Sequence, residues 1–278
     1  SSANLLSLPD IDFGVVPLHI IVGENDYIDD DKIDLTAMQE NLSSYKGKTS
    51  TSSPSPHEWE NAFGDADVVF CITITSSLSG TYNSAVIAKD IYEQNHAGRK
   101  VYVLDSLSTG PEIALFIEKI AELIKAGFAP DDIYKTLLEY KDKTHLYFSL
   151  ASLNNFAKNG RISPVIAAGI GLLGVRVVGK ASDEGTLLPL DKCRGEKRAL
   201  KKLIDHLKEC GYTDGKIIIA HNNNEAGALE LKKLIENTFG IFNGTIQKTR
   251  ALCSYYAEPG SLLIGFEASL CNHKPYKD

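Results

Sequence analysis

Two hydrophobic patterns take turns along this chain. Short runs of consecutive or alternating apolar residues predict strands, and stretches with apolar positions three or four apart predict helices. Residues 15–22 form an apolar run that contains Pro17, which predicts a strand at an edge or a bulge. Residues 23–26 predict a turn. Asp34 stands ready to cap a helix whose apolar positions are Leu35, Met38, Leu42 and Tyr45. A loop rich in serine, threonine and proline is predicted from residue 48 to residue 56. At its end Ser55, Pro56 and Glu58 form a capping-box pattern with proline at the first helical position.

The alternation then becomes regular. Residues 67–74 predict a strand, 80–94 a helix, 100–104 a strand and 111–126 a helix closed by Gly127. Residues 131–141 predict another helix, and 145–150 a strand that closes the set. Strands alternating with helices point to parallel βαβ units. Past residue 150 the pattern loosens. A short glycine-containing helix is predicted from Ser163-Pro164. Apolar runs at 175–178 and 187–190 flank a turn at 182–185, which predicts a hairpin and antiparallel pairing. Helices at 196–210 and 225–239 surround a strand at 216–221, and 262–267 is the last strand. The expected fold is α/β in two domains. Residues 1–150 form a parallel-sheet βαβ domain, and residues 151–278 an α/β domain with a mainly antiparallel sheet.

Charge and composition narrow the function. A formal net charge of −7 over 278 residues, with no basic patch interleaved with aromatics, argues against nucleic acid as a partner. The longest apolar stretch, residues 165–175, is 11 residues and too short to span a bilayer. Membrane insertion is therefore not expected, and transient membrane contact stays open. Five scattered cysteines without a C-x-x-C spacing suit structural thiols in a reducing compartment, and no basic leader opens the chain. A cytoplasmic location is the expectation.

Several motifs invite chemistry. Gly169, Gly171 and Gly174 match G-x-G-x-x-G, but a predicted helix leads in and a strand leads out. That order is the reverse of a dinucleotide fingerprint, so no cofactor is expected. Ser76, Ser77 and Ser79 are candidate nucleophiles, yet the seven histidines form no local pattern and there is no G-x-S-x-G elbow. No histidine pair sits three or four residues apart, so no metal site is expected. The hydroxyl-rich stretches 49–55 and 75–81 remain. The second follows a strand and opens a helix, where free N–H groups and hydroxyls can hold a carboxylate or phosphate. Serine and threonine also favour ordinary caps and turns, and both readings stay open on the residues alone.

A resemblance separates them. Residues 51–56 read T-S-S-P-S-P and residues 74–85 read I-T-S-S-L-S-G-T-Y-N-S-A; together they resemble the paired signature of the DegV family. F-G-V-V-P-L at 13–18 with Tyr27-Ile28-Asp29, V-L-D-S at 103–106, L-N-N-F-A-K-N-G-R-I-S at 153–163 and K-C-R at 192–194 resemble further family segments. The resemblance implies a DegV-like fold and a non-catalytic protein that binds a long-chain fatty acid in an apolar tunnel between two domains. By the same resemblance it presents the acid to a separate fatty-acid kinase subunit. Thr51 or Ser52, with Ser76, Ser79 and Gly80, would hold the carboxylate, and Tyr256 falls where the family carries a head-group histidine. Arg161, Arg176 and Arg194 match basic family positions and imply docking of an acidic partner. Three residues depart from the pattern: Ser53 stands for a glutamine, Tyr256 for the histidine and Glu258 for a glycine. A glutamate close to a carboxylate would repel it. Ser1 to Leu5 resembles the interior of the D-S-x-x-D-L motif, which would leave the strand before it outside this sequence. The competing expectations are a serine-dependent hydrolase acting on an acyl ester, and a binding module for another amphiphile.

Overall fold

The computed structural model describes residue 3, residues 7–163 and residues 174–268. Near its start, β1 (His19–Val22) pairs antiparallel with both β2 (Asn25–Ile28) and β3 (Thr49–Ser52). The strand is shorter than the apolar run predicts and begins after Pro17, which has no N–H to donate to a ladder. β2 occupies part of the expected turn, and β3 lies in the stretch expected to be loop. Between them runs α1 (Leu35–Ser44), capped as expected by Asp34, whose carboxylate accepts the Ala37 N–H at 2.9 Å. α2 (Pro56–Phe63) starts on the full capping box: the Ser55 N–H donates to Glu58 and the Glu58 N–H donates to the Ser55 hydroxyl.

β4 (Val68–Thr73), α3 (Thr81–Asn95) and β5 (Lys100–Asp105) form the expected parallel βαβ unit. Val69, Cys71, Val101 and Val103 face α2 and α3, packing with Trp59, Phe63 and Tyr92. Phe70, Ile72 and Leu104 face α4 (Pro111–Lys125) and α5 (Pro130–Lys141). Side chains alternate between two helix-covered faces, which is why these strands read as unbroken apolar runs.

The larger sheet has six strands. After β6 (Thr144–Leu150) come α6 (Asn154–Lys158), β7 (Val175–Ala181), β8 (Leu187–Arg194), α7 (Glu196–Glu209), β9 (Ile217–His221), α8 (Glu225–Phe239), β10 (Gly244–Lys248), α9 (Ala251–Ala257) and β11 (Leu262–Glu267). The strand order is β10-β9-β11-β6-β7-β8, antiparallel except for the β9–β10 pair. α7 and α8 cover one face, over Tyr147, Ile217, Ile219, Ile264 and Phe266. On the other face Leu146, Phe148, Leu150 and Leu263 point towards α6 and α9.

The predicted β7–β8 hairpin and the mainly antiparallel pairing are both present. β6 does not close the smaller sheet as expected; it pairs antiparallel with β11 and β7 at the middle of the larger one. Nearly every residue of β6 is buried, and such a strand gives no sign of which sheet it joins. β10 and α9 carried no recognisable pattern. The helix predicted from residue 164, and Gly169 and Gly171 of the glycine motif, lie outside the described residues. Cys71, Cys193 and Cys253 are buried thiols outside any disulfide, whereas Cys210 is disulfide-bonded, against the expectation of thiols throughout. Among the described residues no helix is long and apolar enough to cross a membrane.

Candidate functional site

The two hydroxyl-rich stretches meet at one cavity of about 280 Å³. Thr51, Ser52 and Ser53 reach it from β3 and the residues after it. Thr75, Leu78, Ser79 and Gly80 reach it from the loop between β4 and α3, and Leu107 and Thr109 from the loop after β5. Both loops leave the carboxyl ends of parallel strands, where ligands of such sheets collect. Leu146, Phe148, Leu150 and Leu263 supply an apolar wall from the larger sheet. Tyr256 and Cys253 enter from α9, and Phe156 and Arg161 from the α6 segment.

The polar groups are ordered by one another. The Thr51 hydroxyl and the Tyr256 phenol lie 2.8 Å apart, and the buried Thr49 hydroxyl and Tyr255 phenol 2.6 Å apart. Ser79 Oγ sits 2.8 Å from Thr81 Oγ1 and accepts the Thr81 N–H. Gly80 occupies the cap position of α3 and brings no side chain to it, so apart from the Thr81 N–H that Ser79 takes, the first amides of this helix are left to other partners. A Cβ on Gly80 would stand 3.3 Å from Ser53 Oγ, which puts the two hydroxyl stretches side by side.

Burial raises the Tyr256 pKa, opposed by the Thr51 hydrogen bond and the charge of Arg161, so the phenol stays protonated at neutral pH. Asp29 is fully buried and accepts the Ala251 and Leu252 N–H groups, with Arg250 Nε 3.5 Å away. It fixes the start of the helix that carries Tyr256.

Other predicted residues lie elsewhere. Ser76 is not among the cavity residues; its N–H donates to the Asp105 carboxylate at 3.1 Å. Arg161, read from the sequence as a docking residue, stands at the cavity. Arg176 donates to the Gly260 carbonyl and pairs with Glu196 at 3.0 Å, while Arg194 is exposed at the end of β8. Glu258 does not line the cavity. Its carboxylate accepts the Ser152 hydroxyl at 2.9 Å and the Asn155 N–H at 3.1 Å, so it ties α6 to the end of α9.

Sequence reasoning missed three contributors. Phe156 packs on Tyr256 at 4.8 Å between ring centroids. Asn159 donates to the Tyr255 phenol at 2.8 Å. The tip of the β7–β8 hairpin closes on the loop after β4, where Thr75 Oγ1 donates to the Gly185 carbonyl at 2.8 Å and Ser77 Oγ to that of Glu184 at 2.5 Å. A Cβ on Gly185 would meet Thr75 Oγ1 at 2.2 Å, so only glycine permits this approach. These partners lie a hundred or so residues away and no local pattern announces them.

A second cavity of about 280 Å³ runs along β4 between α2 and α4, lined by Val16, Trp59, Phe63 and Ile117 among others, with no comparable hydroxyl cluster. Among the described residues no histidine lines the first cavity, and no cluster of histidine, cysteine and carboxylate side chains has the geometry to hold a metal.

The chain and its fold find counterparts among known proteins. The family model of DegV proteins matches residues 4–269. The chain belongs to the DegV family. A DegV domain-containing protein of Streptococcus pneumoniae is 41% identical over 255 residues, 92% of this chain and 91% of the relative. Among solved structures, a DegV family protein from Eubacterium eligens loaded with heptadecanoic acid superposes with a TM-score of 0.94. It is 39% identical and covers 96% of this chain and 97% of its own. The Streptococcus pneumoniae Fatty Acid Kinase B3 protein loaded with linoleic acid superposes at 0.89, with 41% identity over 91% of this chain and 90% of its own. In this DegV chain the fold is thus a parallel unit beside a mainly antiparallel sheet.

Proposed function

We propose that this DegV protein binds a long-chain fatty acid without transforming it. The carboxylate rests among Thr51, Ser52, Ser79, Gly80 and Tyr256, and the chain lies against Leu146, Phe148, Leu150 and Leu263. One observation carries the reading: a single cavity joins a helix start with glycine at its cap position and clustered hydroxyls to an aliphatic wall. Hydroxyls and amides compensate for taking the carboxylate out of water. Each methylene buried on the wall contributes about 0.8 kcal/mol, so a dozen give roughly 10 kcal/mol before the cost of ordering the chain. Relatives of 39% and 41% identity loaded with heptadecanoic and linoleic acid support the ligand class.

The second part of the proposal is presentation of the acid to a separate kinase subunit. It is supported by the likeness to the Fatty Acid Kinase B3 protein. Arg161 at the cavity and the exposed Arg194 are the cationic groups offered to such a partner; Arg176 is engaged by Glu196. Rim charges of this kind set association rate more than affinity.

Organic extraction of the purified protein followed by mass spectrometry tests the reading. About one equivalent of a long-chain acid per chain is expected. Recovery of none, with no uptake on incubation with fatty acid, overturns it. The hydrolase reading predicts turnover of an activated acyl ester that is lost in Ser79→Ala. The lack of a lining histidine among the described residues leaves that serine without an evident base.

A further inference from the structure

Among the described residues Phe148 is the one aromatic side chain that the larger sheet contributes to the cavity wall, and its setting is unusual. Across the sheet it lies opposite Leu263 on one side and Gly179 on the other. A Cβ built on Gly179 would fall 2.6 Å from both Cε2 and Cζ of Phe148, so the ring occupies the space a side chain at 179 would fill. The ladder between β7 and β8 shifts register between Val178 and Gly179, beside this contact. The ring is 3% exposed and still lines the cavity.

From this geometry we propose that the Phe148–Gly179 pair sets which acyl chains the cavity accepts. The inference rests on the fatty-acid reading above and deepens it. With glycine at 179 the ring lies down against β7 and leaves the cavity its depth. A side chain at 179 pushes the ring towards the ligand, because χ rotation is how the ring gives way in a close-packed wall. A smaller residue at 148 does the reverse and opens room for further methylenes. Polar contacts fix the head group, so the wall alone decides where the chain must end or bend.

The experiment is competition binding to the purified protein with saturated acids of about twelve to about twenty carbons. The variants are Phe148→Leu and Gly179→Ala, each checked for cooperative thermal unfolding. Phe148→Leu keeps a branched apolar residue in the strand and serves as the primary readout. Gly179→Ala brings its methyl 2.5 Å from the Leu188 carbonyl and requires an adjustment of the outer strand β8. The expected result is a preference moved to longer chains in Phe148→Leu and to shorter ones in Gly179→Ala. Affinity should change by roughly fourfold for each methylene gained or lost. Ser79→Ala is the control; it should weaken all chain lengths alike and leave their ranking intact. An unchanged ranking in a folded Phe148→Leu protein, or a move to shorter chains, overturns the inference while fatty-acid binding stands. Failure of the parent protein to bind any acid of the series sinks the functional reading instead.

Discussion

Thr51 and Tyr256 stand 205 residues apart in the chain, and their hydroxyl oxygens lie 2.8 Å apart at the cavity. One hydroxyl is therefore free to donate to a ligand while the other supports it. Tyr256→Phe removes the phenol hydroxyl and keeps the ring packed on Phe156. It should weaken fatty-acid binding by about 1–2 kcal/mol, read as a higher Kd by calorimetry with thermal unfolding little changed. Because burial raises the phenol pKa, its donation persists through neutral pH. Affinity of the parent should be flat from about pH 6 to about pH 8 apart from ligand ionisation, whereas Tyr256→His should introduce a pH dependence centred near the imidazole pKa. Equal profiles for the two proteins would contradict a head group at Tyr256.

Ser79 forms part of the entrance to α3, where the cap residue Gly80 has no side chain and Ser79 Oγ itself accepts the Thr81 N–H. Ser79→Ala takes away a hydroxyl that holds Thr81 and faces the cavity. A loss of about 1–3 kcal/mol in fatty-acid affinity is expected, the penalty of an anion short of one partner. Unchanged affinity in titration calorimetry would place the carboxylate elsewhere.

Glu258 combines a gain with a strain. Its φ is +57°, a region that favours glycine, yet its carboxylate holds Ser152 and the Asn155 N–H. Glu258→Ala keeps the strained backbone and loses both bonds, so it should lower stability by about 1–3 kcal/mol. Glu258→Gly loses the same bonds and relieves the backbone, so it should be the milder of the two by roughly 1 kcal/mol. Chemical denaturation of both variants measures the order, and alanine proving the milder would contradict the account.

Glu112 brings pH into stability. It lies in the first turn of α4, takes a hydrogen bond from Thr144 Oγ1 at 2.8 Å, and burial pushes its pKa from 4.5 up to about 7 against the pull of that bond and of Lys141. The folded pKa is the higher one, so the stability it confers is complete below about pH 4.5 and is lost as pH rises through about 7. The change is on the order of 3 kcal/mol. Glu112→Gln should flatten the stability profile across that window. A slope of equal size in the variant would assign the effect to other groups.

Local features of this fold were legible in the sequence, and long-range ones were not. Asp34, Ser55 and Glu58 act on their own helix starts, so spacing alone exposes them. The Ser76–Ser79 segment stood out because hydroxyls cluster between a strand and a helix. β3 escaped because Thr49–Ser52 is four polar-looking residues whose pairing depends on β1. The sheet β6 joins is decided by partners at residues 175–181 and 262–267. Glu258 looked like a threat to the ligand, and only its distant partners Ser152 and Asn155 reveal where its charge goes. The position of Arg161 at the cavity likewise follows from how α6 docks on α9, which no spacing encodes.

β11 lies between β9 and β6, at the middle of the larger sheet, and brings Leu263 to the ligand wall. A ribosome must therefore deliver residue 267 before that sheet can zip shut around its newest member. Until then the nascent molecule holds the β9–β10 pair and the three strands β6, β7 and β8 unjoined, with no finished greasy wall, so cargo cannot be taken aboard before residue 267 is made.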